Sequence, residues 1–227
     1  MTYIWQDFNI KTMLAETIVF RDGEFCPELS TLDSAQISKN YDLPVHYIYV
    51  GELVGKNVLE INIPENVKNQ KIYLSVRVTV NSIADFNILI KNSGLDSNVR
   101  CFIVLENHGN LNFDINTHHL ARNTGIFAKT RLLAYKKSVS NLSGAAHIYQ
   151  YCENARSGID FSAMADNNAK IIFKPIQKIS AIPDSAEHSA NIAEVSAPQV
   201  EYLHESGLND AEIKSVMRDA FINNTDF

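Results

Sequence analysis

His188 is the residue with the clearest potential for metal chemistry, because it lies among small residues in the segment DSAEHSAN. Neutral imidazole is a good ligand for ferrous iron, and an unperturbed histidine is largely neutral at cytoplasmic pH. The small neighbours Ala186, Ser189 and Ala190 leave space around the ring that a histidine serving only to fill volume would not need. Glu187 is a weaker co-ligand candidate, since adjacent residues of an extended strand face opposite ways.

Two other groups of polar residues could do chemistry. His118 and His119 are adjacent, so on a strand they face opposite ways and cannot bind one metal without a bulge. We expect one of them to be turned inward and hydrogen-bonded. Asp114, Asp160 and Asp166 could supply the carboxylate pair of a β-helical glycosidase or lyase, although solvation of a polar strand face is the simpler interpretation.

Motifs that would define a nucleotide-dependent enzyme are incomplete. GELVGK resembles a phosphate loop, but Gly51 and Gly55 are one residue too close, and Asn57 stands where Ser or Thr would bind magnesium. The sequence contains no nucleophile elbow, no H-E-x-x-H motif and no dinucleotide fingerprint. We therefore expect no ATP site in this chain and no enzymatic activity.

Bulk properties limit the partners that the chain can bind. A chain of 227 residues with 45% hydrophobic residues can form one large domain, or a domain with a small appendage. The formal net charge of -6 and the lack of a Lys/Arg cluster argue against nucleic acid as a partner. The N-terminus does not resemble a signal peptide, and about 18 consecutive apolar residues occur nowhere, so we expect a soluble cytoplasmic protein without membrane contact.

The three cysteines, Cys26, Cys101 and Cys152, are widely spaced and include no C-x-x-C pair. This arrangement gives no sign of a zinc knuckle or a redox motif. Reduced, buried structural thiols are therefore expected.

From about residue 45 to 182, apolar and polar residues alternate, as is typical of half-buried strands. The apolar positions of three such runs are Ile72, Leu74, Val76, Val78 and Val80; Leu111, Phe113 and Ile115; and Ile159, Phe161 and Ala163. Asn, Gly and Asp between the runs mark turns. No helical pattern of ten or more residues separates the strands, so a doubly wound sheet is disfavoured and a sandwich, barrel or β-solenoid remains.

The composition changes at about residue 196, which predicts a core domain over residues 1–195 and a helical segment over 196–227. Ser196 can cap a first helix that has Pro198 in its first turn and stops at Gly207.

In a second helix, Asn209 and Glu212 match a capping box in form. Its apolar face consists of Ile213, Val216, Met217, Ala220 and Phe221. Because two such short helices cannot hold themselves together, they must pack on the strand domain or on another protein.

Over roughly residues 105 to 222, the chain resembles the SufB/SufD family of iron–sulfur cluster assembly proteins. The most specific similarity is a histidine among small residues, followed by a linker, a "YL…GL" helix and a helix that ends in phenylalanine. These positions here are His188, Tyr202, Leu203, Gly207, Leu208 and Phe221. Further family-like positions are Thr117 and His119 in a T-x-H region, Gly144 before HI, and Pro175 in KPIQKI.

This resemblance implies a right-handed parallel β-helix, or β-solenoid, with a short C-terminal helical pair. It also implies binding of a SufC-like ABC-type ATPase through the terminal helices, and dimerisation through the β-helix with a SufB-like chain or a second copy. The residues expected to bind the partner are Tyr202, Leu203, Leu208, Ile213, Met217 and Phe221. The implied cargo is a transient iron ion or iron–sulfur cluster, with His188 and Glu187 as the candidate ligands.

The chain departs from SufB at positions that matter for this chemistry. SufB has glutamate directly after the histidine, where this chain has Ser189. SufB also carries an essential cysteine upstream, whereas residues 160–164 contain none and Cys152 is out of register. The chain is therefore closer to SufD, and a site at His188 should be completed across a dimer interface, by the partner chain or by a second His188.

Two classes of function remain open at this level. The first is a non-enzymatic component of an iron–sulfur cluster assembly complex. The second is a β-solenoid carbohydrate-active or purely structural protein, which predicts an exposed groove with aromatic and carboxylate residues and no ATPase partner. In that case His188 would only hydrogen-bond a turn at the end of the solenoid.

Overall fold

The computed structural model describes residues 15–166, 168–193 and 197–223. These residues form a parallel β-solenoid of about 6 turns, followed by two C-terminal helices. The β-solenoid prediction is confirmed, and the sandwich and barrel alternatives are wrong.

The strands are numbered in chain order within the described part of the chain. They are β1 (Glu16–Arg21), β2 (Glu24–Phe25), β3 (Val45–Glu52), β4 (Gly55–Ile63), β5 (Lys71–Val80), β6 (Ile83–Asn92), β7 (Asn98–Asn107), β8 (Asn110–His119), β9 (Gly125–Ala134), β10 (Val139–Ile148), β11 (Arg156–Ala165), β12 (Lys170–Ile179) and β13 (Ser185–Ala193). The helices are α1 (Ala197–Glu205) and α2 (Asp210–Asn223).

The strands form two sheets. Sheet A has the order β13-β11-β9-β7-β5-β3-β1-β2, and sheet B has the order β12-β10-β8-β6-β4. Val45, Ile72, Val99 and Ile126 stack on one another at a constant spacing along the sequence. The next residue of this stack, Ser157, follows Ile126 after a longer interval, so the later turns contain more residues. Extra residues are taken up at the corners, and the sequence repeat is therefore irregular although the strands stay in register.

The core lies between the two sheets. The inward residues of the three runs identified from the sequence are all buried, as the alternating pattern predicts. Aromatic rings pack against one another at tilted angles inside the solenoid, with ring centroids 5.1 Å apart for Tyr49 and Phe86 and 5.8 Å apart for Phe86 and Phe113. Fully burying a side chain of the size of phenylalanine contributes roughly 1.5–3 kcal/mol relative to leaving it exposed. This row of rings therefore joins neighbouring turns into one core.

Helix α2 packs on the outer face of sheet A. Ile222 forms an apolar cluster with Val104 and Leu133, whose side chains point outward from β7 and β9. The Arg131 guanidinium lies 5.7 Å from the centroid of the Phe221 ring, a favourable cation–π arrangement. Of the two placements left open by the sequence, packing on the strand domain is the one observed. The residues of α1, in contrast, are not buried.

The predicted ends of the helices are confirmed where the structure describes them. The Asn209 Oδ1 atom accepts the amide protons of Ala211 and Glu212, and the Glu212 carboxylate accepts the amide proton of Asn209 at 2.8 Å. Helix α1 ends before Gly207, which has the positive φ of 91° that glycine adopts without strain. The predicted cap Ser196 lies outside the described residues, as does the proposed boundary between residues 195 and 196.

Strands β12 and β13 form an open end of the solenoid. Within residues 15–166, 168–193 and 197–223, no strand pairs with their free edges. Apolar side chains at this end are exposed, including Ile176 at 47% and Ile192 at 51%. Unpaired edge strands with apolar side chains favour pairing with another chain.

Candidate functional site

His188 lies on β13, the last strand of sheet A. It pairs in register with Ile159, a buried residue that points to the interior, so His188 lies on the interior face of the last turn. Because no further turn covers β13 in the described part of the chain, His188 is exposed. The small residues around it and its exposure leave the imidazole accessible to a ligand or to a partner chain.

Glu187 lies on the opposite, outer face of β13. It pairs with Gly158, and a Cβ atom at Gly158 would lie 2.9 Å from the Phe127 ring. The Phe127 ring therefore occupies the place of a side chain at position 158. A shallow cavity of about 390 Å³ lies here, and Arg100, Lys129 and Glu187 contribute charged groups to its lining. Glu187 and His188 both line this cavity, but their side chains start from opposite faces of β13, with Glu187 on the outer face.

Ser189 ties β13 to the neighbouring strands. Its hydroxyl donates to Asp160 Oδ1 at 2.6 Å, and Arg131 Nη1 donates to Asp160 Oδ2 at 3.0 Å. A glutamate at position 189 would place a second carboxylate beside Asp160. The serine after His188 is therefore explained by the position and charge of this aspartate.

The cysteines are free, and two of them are buried. Burial raises the pKa of the Cys101 thiol, and burial is also the main cause of the raised pKa of Cys152. Cys152 donates to the backbone oxygen of His119 at 3.1 Å and packs beside Ile148. Both thiols are thus held in the neutral form, which is a poor metal ligand.

The predicted partner-binding residues differ in exposure. Tyr202 on α1 is 68% exposed, whereas Ile213 on α2 is 5% exposed. Phe221 packs against the solenoid through the cluster around Val104. Leu203, Leu208 and Met217 are half-buried.

A cavity of about 570 Å³ separates the helix pair from the outer face of sheet A. Leu133, Met164, Ile213 and Met217 contribute apolar side chains to its lining. The helix pair exposes Tyr202 on α1 and also Val216 on α2, which is 44% exposed.

His118 and His119 face opposite ways, as predicted. His119 is fully buried, and its Nδ1 atom lies 2.9 Å from Thr124 Oγ1. Burial and the neighbouring His118 lower the pKa of His119 to about 4. His118 lies on the outer face of sheet B, where His147 stacks on it with ring centroids 4.6 Å apart.

The pair of His118 and His147 was not identified from the sequence. The two residues are far apart along the chain, and they pair in register on β8 and β10. The two histidines are separated by one turn of the solenoid. Their pairing could therefore have been predicted only if the turn length had been known.

The three aspartates do not form a catalytic pair. Asp114 lies on the outer face of sheet B and Asp160 on the outer face of sheet A, on opposite sides of the solenoid. Asp160 and Asp166 are separated along extended chain by about 20 Å. The two carboxyl groups of a glycosidase lie within about 10 Å of each other. Neither Asp114 with Asp160 nor Asp160 with Asp166 is therefore placed to act as a carboxylate pair.

A polar cavity of about 380 Å³ on sheet B is lined by Asp85, Asp114 and several asparagines. These groups satisfy one another: Asn112 Nδ2 donates to Asp85 at 2.8 Å, and Ser143 Oγ donates to Asp114 at 2.6 Å. Phe113 is the aromatic residue of this lining, but its side chain is buried in the core. The cavity therefore has no exposed aromatic ring among its described lining residues.

Within the described ranges, no group of three or more His, Cys, Asp or Glu side chains is placed to hold a metal ion. The helices described here are all too short or too polar to cross a bilayer. No protein-family model matches the chain, and the search of curated proteins finds no similar sequence.

Proposed function

We propose that this chain is a non-enzymatic, SufD-like component of a SUF-type iron–sulfur cluster assembly complex in the cytoplasm. In this proposal it docks a SufC-like ABC-type ATPase and contributes His188 to an iron or cluster site at an interface. Iron or the cluster is cargo. The ATPase supplies nucleotide hydrolysis, and this chain has no ATP site of its own.

The observation that carries the proposal is that an exposed histidine and a helix pair lie close together in the sequence near the end of the described chain. An accessible histidine lies on the edge strand β13, and two helices follow it in the sequence, the second of them capped by Asn209. A solenoid that served only as a structural rod would be expected to cover its last turn. Among the described residues, the last turn presents an unpaired strand edge and an exposed histidine together.

The ligand set at His188 has to be completed by another chain. One imidazole cannot hold a metal tightly, and Glu187 lies on the opposite face of β13. The open edges of β12 and β13 and the exposed residues Ile176 and Ile192 support a dimer interface at this end. A SufB-like chain, or a second copy of this chain, would then supply the remaining ligands.

The helix pair supports the docking of an ATPase. Because α2 is anchored on sheet A through Ile222, the pair is fixed to the solenoid. Because the residues of α1 are not buried and Tyr202 is exposed, α1 offers a surface to a partner. Aromatic side chains on a rigid helix are favourable anchors in protein interfaces.

The experiment that tests the function is affinity purification of the tagged, full-length chain from its native host. We expect an ABC-type ATPase to co-purify and to be identified by mass spectrometry. Reciprocal purification with the tagged ATPase should recover this chain. If neither direction recovers the other protein, the proposed assembly function is wrong.

A further inference from the structure

Three aromatic rings stack on the outer face of sheet B. His118 and His147 lie on the neighbouring strands β8 and β10, with ring planes only 3° from parallel. The Tyr149 ring extends the stack, with its centroid 5.8 Å from His118 and 6.1 Å from His147. Because β8 and β10 pair in register, the two histidines are direct neighbours on adjacent strands.

Ring nitrogens of this pair are available to a ligand. His118 Nδ1 lies 2.9 Å from the Tyr149 hydroxyl. When Nδ1–H donates to that oxygen, Nε2 keeps its lone pair. A hydrogen-bond acceptor at the other ring nitrogen orients metal-binding histidines in many proteins. Among the described residues, the ring nitrogens of His147 make no hydrogen bond.

The surroundings of the pair act on both imidazoles. Partial burial, His147 and Lys91 lower the pKa of His118, and partial burial and Lys178 lower the pKa of His147.

Two lysines flank the pair in the same row of the sheet, and both oppose a bound cation. Lys91 precedes His118 and is paired with Glu60 at 2.8 Å, which offsets its charge. Lys178 follows His147 on the edge strand β12. It has a flexible side chain that can turn towards water.

We propose that His118 and His147 form a binding site for a borderline divalent transition-metal ion, of which Zn²⁺ is the representative. Zinc binds histidine nitrogen at about 2.0–2.1 Å, so two nitrogens in a tetrahedral site lie about 3.3 Å apart. Because the rings are stacked nearly parallel, both side chains must rotate out of the stack until their ring-nitrogen lone pairs converge on the ion. Water fills the remaining positions, which makes this an accessible surface site.

This inference is independent of the proposed assembly function. His118 and His147 lie on sheet B, whereas His188 lies on sheet A. A variant at one site should leave the other unchanged, so failure of either proposal can be recognised separately.

The test is calorimetric titration of the full-length protein with Zn²⁺ at slightly alkaline pH. We expect one bound Zn²⁺ that is lost in both His118→Ala and His147→Ala. Tyr149→Phe should weaken binding by about tenfold, as is usual for the loss of a group that orients a ligand. Lys178→Ala should strengthen binding, because it removes a like charge beside the ion.

The matched control is His204→Ala, because His204 is an exposed histidine on α1 whose Nε2 atom lies 3.1 Å from Asp210, away from the pair on sheet B. His204→Ala should bind Zn²⁺ as the wild type does. In the wild type, addition of Zn²⁺ should change the ¹⁵N chemical shifts of the ring nitrogens of His118 and His147. This measurement does not depend on the folding of any variant. Binding that survives in both ligand variants, or that follows His204, overturns the proposal. The proposal would also be overturned if the protein bound phosphate and not Zn²⁺, and if Lys178→Ala weakened that phosphate binding.

Discussion

Glu187 and His188 are adjacent in the chain but lie on opposite faces of β13, because Glu187 pairs with the outward position Gly158 and His188 with the inward position Ile159. Both residues line the cavity at this strand, with the Glu187 side chain on the outer face. The open interior face of the last turn contains His188. This relationship separates the two candidate ligands, and among the described residues it leaves His188 without a second ligand on its own face.

The first prediction concerns His188. His188→Ala should fold, dimerise and bind the ATPase normally, because the side chain is exposed and contributes little to the core. It should fail to support cluster formation with its partners, measured by the visible absorbance of the reconstituted complex. Glu187→Gln is the matched control on the other face and should cost less activity. Full cluster assembly by His188→Ala would remove the histidine from the mechanism.

The second prediction concerns the helix pair. Deletion of residues 197–227 should abolish ATPase binding and leave the strand signal in circular dichroism. It should also lower the melting temperature, because Val104 and Leu133 lose the apolar contact with Ile222. The single change Tyr202→Ala should weaken ATPase binding without that loss of stability. Tyr151→Ala, at an equally exposed tyrosine on a solenoid loop, is the control, and an equal effect of both changes would argue against docking at α1.

The third prediction is dimerisation through the open end. Light scattering at micromolar concentration should give about twice the 25.5 kDa mass of the chain. Ile192→Lys should reduce the mass to that of a monomer, because it places a charge at the apolar open end. Val58→Lys makes the same kind of change at an exposed position of β4 and should remain dimeric. A wild-type monomer that also fails to pair with a SufB-like chain would contradict the prediction.

The fourth prediction is that acid destabilises the fold through two buried histidines. Burial lowers the pKa of His46 to about 4, and burial together with His118 lowers the pKa of His119 to about 4. The pKa of histidine in the unfolded chain is about 6.5. At pH values between this pKa and the lowered pKa of the folded state, the unfolded state binds more protons, so the free energy of unfolding falls as the pH falls. The loss should approach about 3 kcal/mol for each residue near pH 4. Denaturant unfolding at several pH values measures it, and His119→Asn should remove part of the slope.

The fifth prediction concerns packing between the sheets. A Cβ atom at Gly144 would lie 2.9 Å from the Phe161 ring and 3.1 Å from Ile159. Gly144→Ala should therefore destabilise the protein by about 1–3 kcal/mol, the usual cost of overpacking a core. Ala145→Ser changes the next residue, which faces outward, and should stay within about 0.5 kcal/mol of the wild type in thermal unfolding. Equal stability of the two variants would show that the core can adjust at this position.

Local features of the fold could be predicted from the sequence. Alternation of apolar and polar residues predicts the strands and their buried faces, because successive side chains of a strand point to opposite sides. The capping box of Asn209 and Glu212 could also be predicted, because its hydrogen bonds join residues within a single helical turn. The opposite orientations of His118 and His119 follow from the strand period alone.

Long-range features were decided only by the tertiary structure. The pairing of His118 with His147 depends on a turn length that changes along the solenoid, because corner residues are added without disturbing the strands. The separation of Asp114 from Asp160 depends on which sheet each strand joins. Periodicity tells which side of a strand a residue occupies, but it carries no information on which distant strand lies beside it, since that is set by the register of the whole solenoid.

The exposure of the helix residues was likewise decided by the tertiary structure. Burial of Ile213 and exposure of Tyr202 depend on how the two helices pack on sheet A. The helical period identifies an apolar face on α2, but a face of this kind can be covered by the same chain or by a partner. The contact of Ile222 with Val104 and Leu133 decides between them, because these residues come together only when the strands of sheet A are stacked.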